Sequence, residues 1–156
     1  MEYFKVPEAV RLQHEALHAK LAQAIDQGGK TGAAATAIKE ILRPHIAKEE
    51  DFGLPALGLL PHLVSGRVAN VMRGVTVMTD RLKTEYQDML ADHETIGVAI
   101  RALADAAREE SRPEYADLAE KLLLYLQTEE QILYPAAILI GEFLKLKLGE
   151  DVAEGG

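Results

Sequence analysis

The sequence contains no cysteine. Disulfides, zinc–thiolate sites and thiol catalysis are excluded, and the absence fits a cytoplasmic protein. There is no tryptophan, and aromatic residues make up only 5% of the chain. A basic excess is missing as well: 25 acidic residues against 17 lysines and arginines leave a net charge of -8. Nucleic acid, whose phosphates need a cationic surface, is not an expected partner. Long apolar runs are also absent. The most apolar stretch, Ile132 to Leu148, is broken by Glu142, Lys145 and Lys147, so no membrane span is expected. The opening Met1-Glu2-Tyr3-Phe4-Lys5-Val6-Pro7 has neither the basic start nor the apolar run of a signal peptide. Glycine-rich phosphate loops and the G-x-S-x-G elbow do not occur.

What remains is a chain of 156 residues, 48% apolar and 27% charged, a mixture that suits one globular domain with a single core. We place that domain at residues 1–150 and a disordered acidic tail at 151–156. Good helix formers dominate, and no segment alternates with the period of a strand. Apolar positions at helical spacing predict a first helix from after Pro7 to about Gln27, ended by Gly28-Gly29. A second starts near Thr31 or Gly32 and runs past Pro44, where a kink is expected, to Glu49. Gly53, Pro55, Gly58 and Pro61 then break the pattern, leaving an apolar crossover with short turns from Leu54 to Val64. A helical stretch opens at Gly66. Thr79 or Asp80 reads as the cap of a third main helix that runs to about Glu110. Ser111-Arg112-Pro113 reads as a cap and first turn of a fourth, which Pro135 bends or ends. Ala136 to Leu148 forms a further short helix. The fold class expected is all-α: an up-down four-helix bundle with an extra C-terminal helix.

Each main helix carries ligand-type residues on its apolar stripe. The first has His14 and His18, the second His45 and Glu49, the third His93, the fourth Tyr125 and Glu129. Burying a charged group without a partner costs about 3–5 kcal/mol, so this many together need a compensating charge. A bound metal supplies it. Carboxylates that bridge and imidazoles that cap suit two iron or manganese ions in a bundle core. A partial repeat strengthens the pattern. Glu49-Glu50-Asp51-Phe52-Gly53-Leu54-Pro55 is answered by Glu129-Glu130-Gln131-Ile132-Leu133-Tyr134-Pro135, with the Glu pair and the Pro in register. Glu50 and Glu130 read as salt-bridging or solvated, and His62 as a surface residue.

The segment Pro44-His45-Ile46-Ala47-Lys48-Glu49-Glu50-Asp51, the lone His93 of the third helix and the run from Glu129 to Pro135 together resemble the hemerythrin-like, HHE cation-binding domains. The resemblance extends from Val10 to Pro135. It implies a four-helix bundle around a non-haem di-iron centre, with two iron ions expected ahead of manganese. It implies His14, His45 and His93 as ligands and Glu49 and Glu129 as bridging carboxylates. Two positions depart from the family pattern: Tyr125 stands where its fourth-helix His belongs, and Gly97 where hemerythrins have a second third-helix His. His18, one turn from His14, is a candidate to compensate, and Tyr125 is a candidate phenolate ligand.

The resemblance implies a small diatomic or peroxide ligand. An anionic phenolate in place of a neutral imidazole favours the ferric state, so redox chemistry of a catalase-like or oxidase kind, or sensing, is expected ahead of reversible O2 carriage. No residue is assigned a catalytic role. An iron-binding sensor or storage module without turnover and a metal-free helical scaffold are the alternatives, and a homodimer is compatible with either.

Overall fold

A computed structural model describes residues 4–149. The acidic tail expected at 151–156 lies outside the described residues. In chain order the helices are α1 (Glu8–Asp26), α2 (Gly29–Lys48), α3 (Leu60–Val64), α4 (Val75–Thr84), α5 (Tyr86–Glu109), α6 (Pro113–Thr128) and α7 (Tyr134–Leu148). Two π-helical turns, Glu49–Gly53 and Glu129–Leu133, continue α2 and α6. Short 3-10 turns occupy Pro55–Leu59 and Asn70–Gly74. There is no strand among the described residues, so the chain is all-α as expected.

The residues group into two compact units: Glu8–Ala47 with Gln87–Glu130, and the described parts of Met1–Pro7, Lys48–Tyr86 and Gln131–Gly156. In the first, α1, α2, α5 and α6 share one hydrophobic cluster that includes Leu21, Ile38, Ile100 and Leu122. Each such side chain contributes about 1.5–3 kcal/mol when buried. Ala24, Ala35, Ala107 and Ala119 in the same cluster are fully buried and leave little between the backbones. The order along the helices alternates. His14 precedes the cluster residues of α1 and His93 those of α5, whereas His45 follows those of α2 and Glu129 those of α6.

Local chemistry sets the helix ends. Gly28 and Gly29 both have φ above +60°, which stops α1 and turns the chain into α2. Pro44 lies inside α2, and the helix is continuous across it. At the same end of this unit, where Glu110 meets Thr31 of α2, the sequence misleads. Ser111 does not cap α6; it closes α5 in a left-handed conformation, φ 56°. The N–H of Arg112 reaches back to the Ala107 carbonyl at 2.8 Å and that of Ser111 to Arg108 at 3.2 Å, the Schellman pattern. Pro113 then opens α6 without a side-chain cap.

In the second unit α4 packs on α7, which also meets both 3-10 turns. Thr79 and Asp80 lie within α4 rather than capping α5, and the break falls at Glu85, next to the start of α5 at Tyr86. Thr79 is buried against Gly141, where any added Cβ would collide with the threonine side chain. Pro135 occupies the first turn of α7, where a missing N–H is harmless, so it begins a helix instead of ending one. Arg73 donates to the carbonyls of Leu148 and Gly149 and closes the C-terminus of α7. Ile132 is 60% exposed and sits in the π-helical turn, where the period is longer than 3.6.

Candidate metal centre

Within the first unit, three helices and one π-turn deliver polar side chains to a common place. His45 of α2 and His93 of α5 are both buried, with their Nε2 atoms 3.0 Å apart. The other nitrogen of each ring is held by a carboxylate. Nδ1 of His45 lies 3.0 Å from Oδ2 of Asp92, and Nδ1 of His93 lies 3.0 Å from Oε1 of Glu130. An Nδ1–H donated to a carboxylate leaves a lone pair on Nε2. Both rings held in this way point lone pairs at each other, an arrangement that calls for a cation between them.

Glu129, which opens the second π-turn, is 2% exposed. Its Oε1 stands 3.5 Å from Nε2 of His93 and its Oε2 stands 3.7 Å from Nε2 of His14. These separations are too long for good hydrogen bonds. They are nearer to the spacing of donors around an ion, since two atoms bound at about 2.1 Å are about 3.0 Å apart at right angles and about 3.4 Å apart at the tetrahedral angle. The ligand atoms of His45, His93 and Glu129 lie within 4.8 Å of one another, a buried group able to hold a metal ion. The donor set, imidazole and carboxylate without thiolate, suits iron or manganese.

The family model for the hemerythrin HHE cation binding domain matches residues 5–137. The chain belongs to this family. No curated protein and no solved structure matches it.

Against that cation-binding pattern, the structure brings His14, His45, His93, Tyr125 and Glu129 together. Tyr125 is 6% exposed, and its ring meets that of His14 edge-on at 4.9 Å. His18 is not brought in. It stacks beside His14 with ring centroids 6.2 Å apart, but the residue is exposed. Four residues advance a helix by about 400°, so His18 falls about 40° off the line of His14. The inward line of α1 passes through His14, Leu17, Leu21 and Ala24 instead.

Glu49 belongs to the second unit and follows His45 by one turn of continuous helical chain. It is 1% exposed, and its Oε1 accepts a 2.5 Å hydrogen bond from the Tyr134 hydroxyl. Its backbone carbonyl accepts the N–H of Leu54 at 2.9 Å, the five-residue closure of a π-turn. The two sequence copies therefore share a conformation as well as a spacing: each Glu opens a π-turn, a feature concentrated at functional sites.

Two partners, Asp92 and Tyr134, escaped the sequence reading, and a third, Glu130, was read without its role. Asp92 sits beside His93 and off its helical stripe, so periodicity gives it no role. Glu130 was read as salt-bridging or solvated, and its bond to His93 bears out the first of these. Tyr134 stands within the repeated stretch, where its place next to Pro135 was the available signal. Half-buried His62 of α3 lies outside the His/Glu group.

Proposed function

We propose that this hemerythrin-family chain is a non-haem di-iron protein that binds or reacts with O2, peroxide or NO, suited to redox chemistry or sensing more than to reversible O2 carriage. The observation that carries the reading is the placement of Glu129, which offers one oxygen to His93 and the other to His14. A carboxylate shared in this way is what a bridged pair of ions requires. His45, His93 and Oε1 of Glu129 form one donor group. His14, Tyr125 and Oε2 of Glu129 would form the other, and Glu49, one turn on from His45 along the chain, would supply the second shared carboxylate. His18 is left out because of its exposure.

Bound iron supplies the redox change and the site at which a small oxidant is held. The chain supplies the rest. Asp92 and Glu130 keep the Nδ1 protons in place, so the Nε2 lone pairs stay directed inward. Tyr134 holds Glu49 in one orientation. A deprotonated Tyr125 adds negative charge where the family pattern has a neutral imidazole, which favours ferric over ferrous iron and so disfavours O2 carriage. The alternation of ligand and core residues along α1, α2, α5 and α6 supports an up-down bundle. No described helix is long and apolar enough to cross a membrane, and we place the protein in the cytoplasm on its lack of cysteine.

The test is elemental analysis of the iron-loaded chain, followed by addition of hydrogen peroxide with oxygen evolution recorded at an electrode. Two iron ions per chain and evolution above that of free iron are expected. Failure to retain iron overturns the reading. Two bound ions without evolution remove peroxide turnover from it.

A further inference from the structure

A cleft of about 300 Å³ lies between α1 and α6. α1 lines it from Gln13 to Lys20 and α6 from Lys121 to Thr128, each with residues at spacings of three, four and seven, one face of a helix. The contacts of His14 with Tyr125 and Glu129 show that the early part of α1 lies against the late part of α6. The helices therefore run in opposite senses, and Lys20 and Lys121 fall at the same end of the cleft.

Those two lysines stand together at one concavity in a chain of net charge -8. Lys30, Lys83 and Lys145 each pair with a carboxylate, on Glu109, Glu142 and Asp80. Lys20 and Lys121 enter no ion pair among the described residues. Two unneutralised cations at one end of a concavity attract an anion. Between the lysines and the polar pair Gln13 and Thr128 at the other end, the lining is apolar: Ala16, Leu17, Leu124 and the ring of Tyr125. Leu124 is 63% exposed, a large apolar side chain left at the rim, whereas Tyr125 is buried and forms the floor. The volume is at the lower limit for small-molecule sites, which selects a compact ligand.

We infer that this cleft binds a small organic carboxylate with a flat apolar body, its carboxylate between Lys20 and Lys121 and its body against Leu17, Leu124 and Tyr125. The assignment goes beyond the metal reading; it shares Tyr125 with the proposed ligand set, but neither the lysines nor Leu124, which the test alters, belong to that set. Occupancy places the ligand against the ring that touches His14, so the cleft is also a route by which an organic anion reaches the surroundings of the metal centre.

Calorimetric titration of benzoate into the full chain as purified tests this. Saturable binding is expected, with benzamide, which has the same shape without the charge, weaker by at least about tenfold. The double variant Lys20→Ala/Lys121→Ala loses affinity by at least about tenfold, and Leu124→Asn also weakens binding. Both lysines are exposed, so thermal unfolding of the double variant should match that of the parent. If it does not, the singles Lys20→Gln and Lys121→Gln replace it, each expected to weaken benzoate binding. Equal affinity for benzamide, unchanged binding in the lysine variants, competition by phosphate as strong as by benzoate, or no saturable heat up to about 10 mM overturns the inference. Iron content, measured separately, decides the metal reading without bearing on this one.

Discussion

Glu110, just past the end of α5, caps the first turn of α2 through Thr31. Its Oε1 accepts the Thr31 N–H at 2.7 Å and the Thr31 hydroxyl at 2.5 Å, while Oε2 accepts the Lys30 N–H at 3.2 Å. The donors left open at a helix start are thus met by a carboxylate about eighty residues away in the chain, where negative charge also suits the helix dipole.

That relationship makes stability depend on pH. The Thr31 hydroxyl first, then the Thr31 N–H, the Lys30 N–H and the charge of Arg112 hold the Glu110 carboxyl at about 2 instead of 4.5. A pKa lowered by folding means that the stabilisation is complete above the unfolded value and fades as pH falls toward the folded one. The unfolding midpoint of Glu110→Gln should lie below that of the parent at pH 7. The gap should narrow between about pH 4.5 and pH 2. A gap that stays constant across that window removes Glu110 from the cap.

Tyr125→Phe is expected to abolish a phenolate-to-iron charge-transfer band in the visible spectrum of the ferric protein. Loss of one hydroxyl should change folding stability by no more than about 1.5 kcal/mol. A spectrum identical in parent and variant, with iron bound to both, takes Tyr125 out of the ligand set.

Asp92→Ala and Glu130→Ala should each weaken metal binding by about 10–100-fold, because each frees an Nδ1–H that now orients a ligand ring. Competition with a chelator measures it. Their side chains are 33% and 36% exposed, so the metal-free chain should unfold at nearly the parent temperature. Parent affinity in both variants would show that ring packing alone holds His45 and His93.

Gly141→Ala drives a methyl group into Thr79 at the crossing of α4 and α7. Overpacking of this kind destabilises by about 1–3 kcal/mol, readable by urea denaturation. Thr79→Ala in the same chain should recover only part of the loss, since the Cβ of Thr79 is itself among the nearest atoms. No change in Gly141→Ala would mean that the two helices separate at little cost.

Much of the candidate site was legible because burial and helical spacing coincide for His14, His45, His93, Tyr125 and Glu129, and Glu49, one turn on from His45, was legible in the same way. Periodicity detects such residues when they lie on the line that packs inward. It placed His18 on that line as well, because spacing alone cannot tell the centre of a stripe from its edge. Asp92 was invisible for the opposite reason: its role depends on where α2 lies, not on the pattern of α5. Thr79 and Ser111 were given capping roles by composition. The first is inside a helix, and the second adopts a left-handed conformation that serine seldom takes. The π-turns could not be read at all, because a window tuned to 3.6 residues averages over one wider turn.

Those two turns have a consequence for how the chain tolerates insertions and deletions. A π-turn holds one residue more than the α-helical path it replaces. Removing one residue after Glu49 or Glu129 within these turns would rewind the turn to α geometry with its flanks nearly in phase, whereas removing one from the regular helix before it would swing one flank by about 100° relative to the other. The ligand side would then keep its place only if the downstream segment lost its own. Gly66 to Ala69, outside any helix, is under no such restriction. The two π-turns are therefore the points along α2 and α6 where the chain can lose one residue and keep the helical phase on either side.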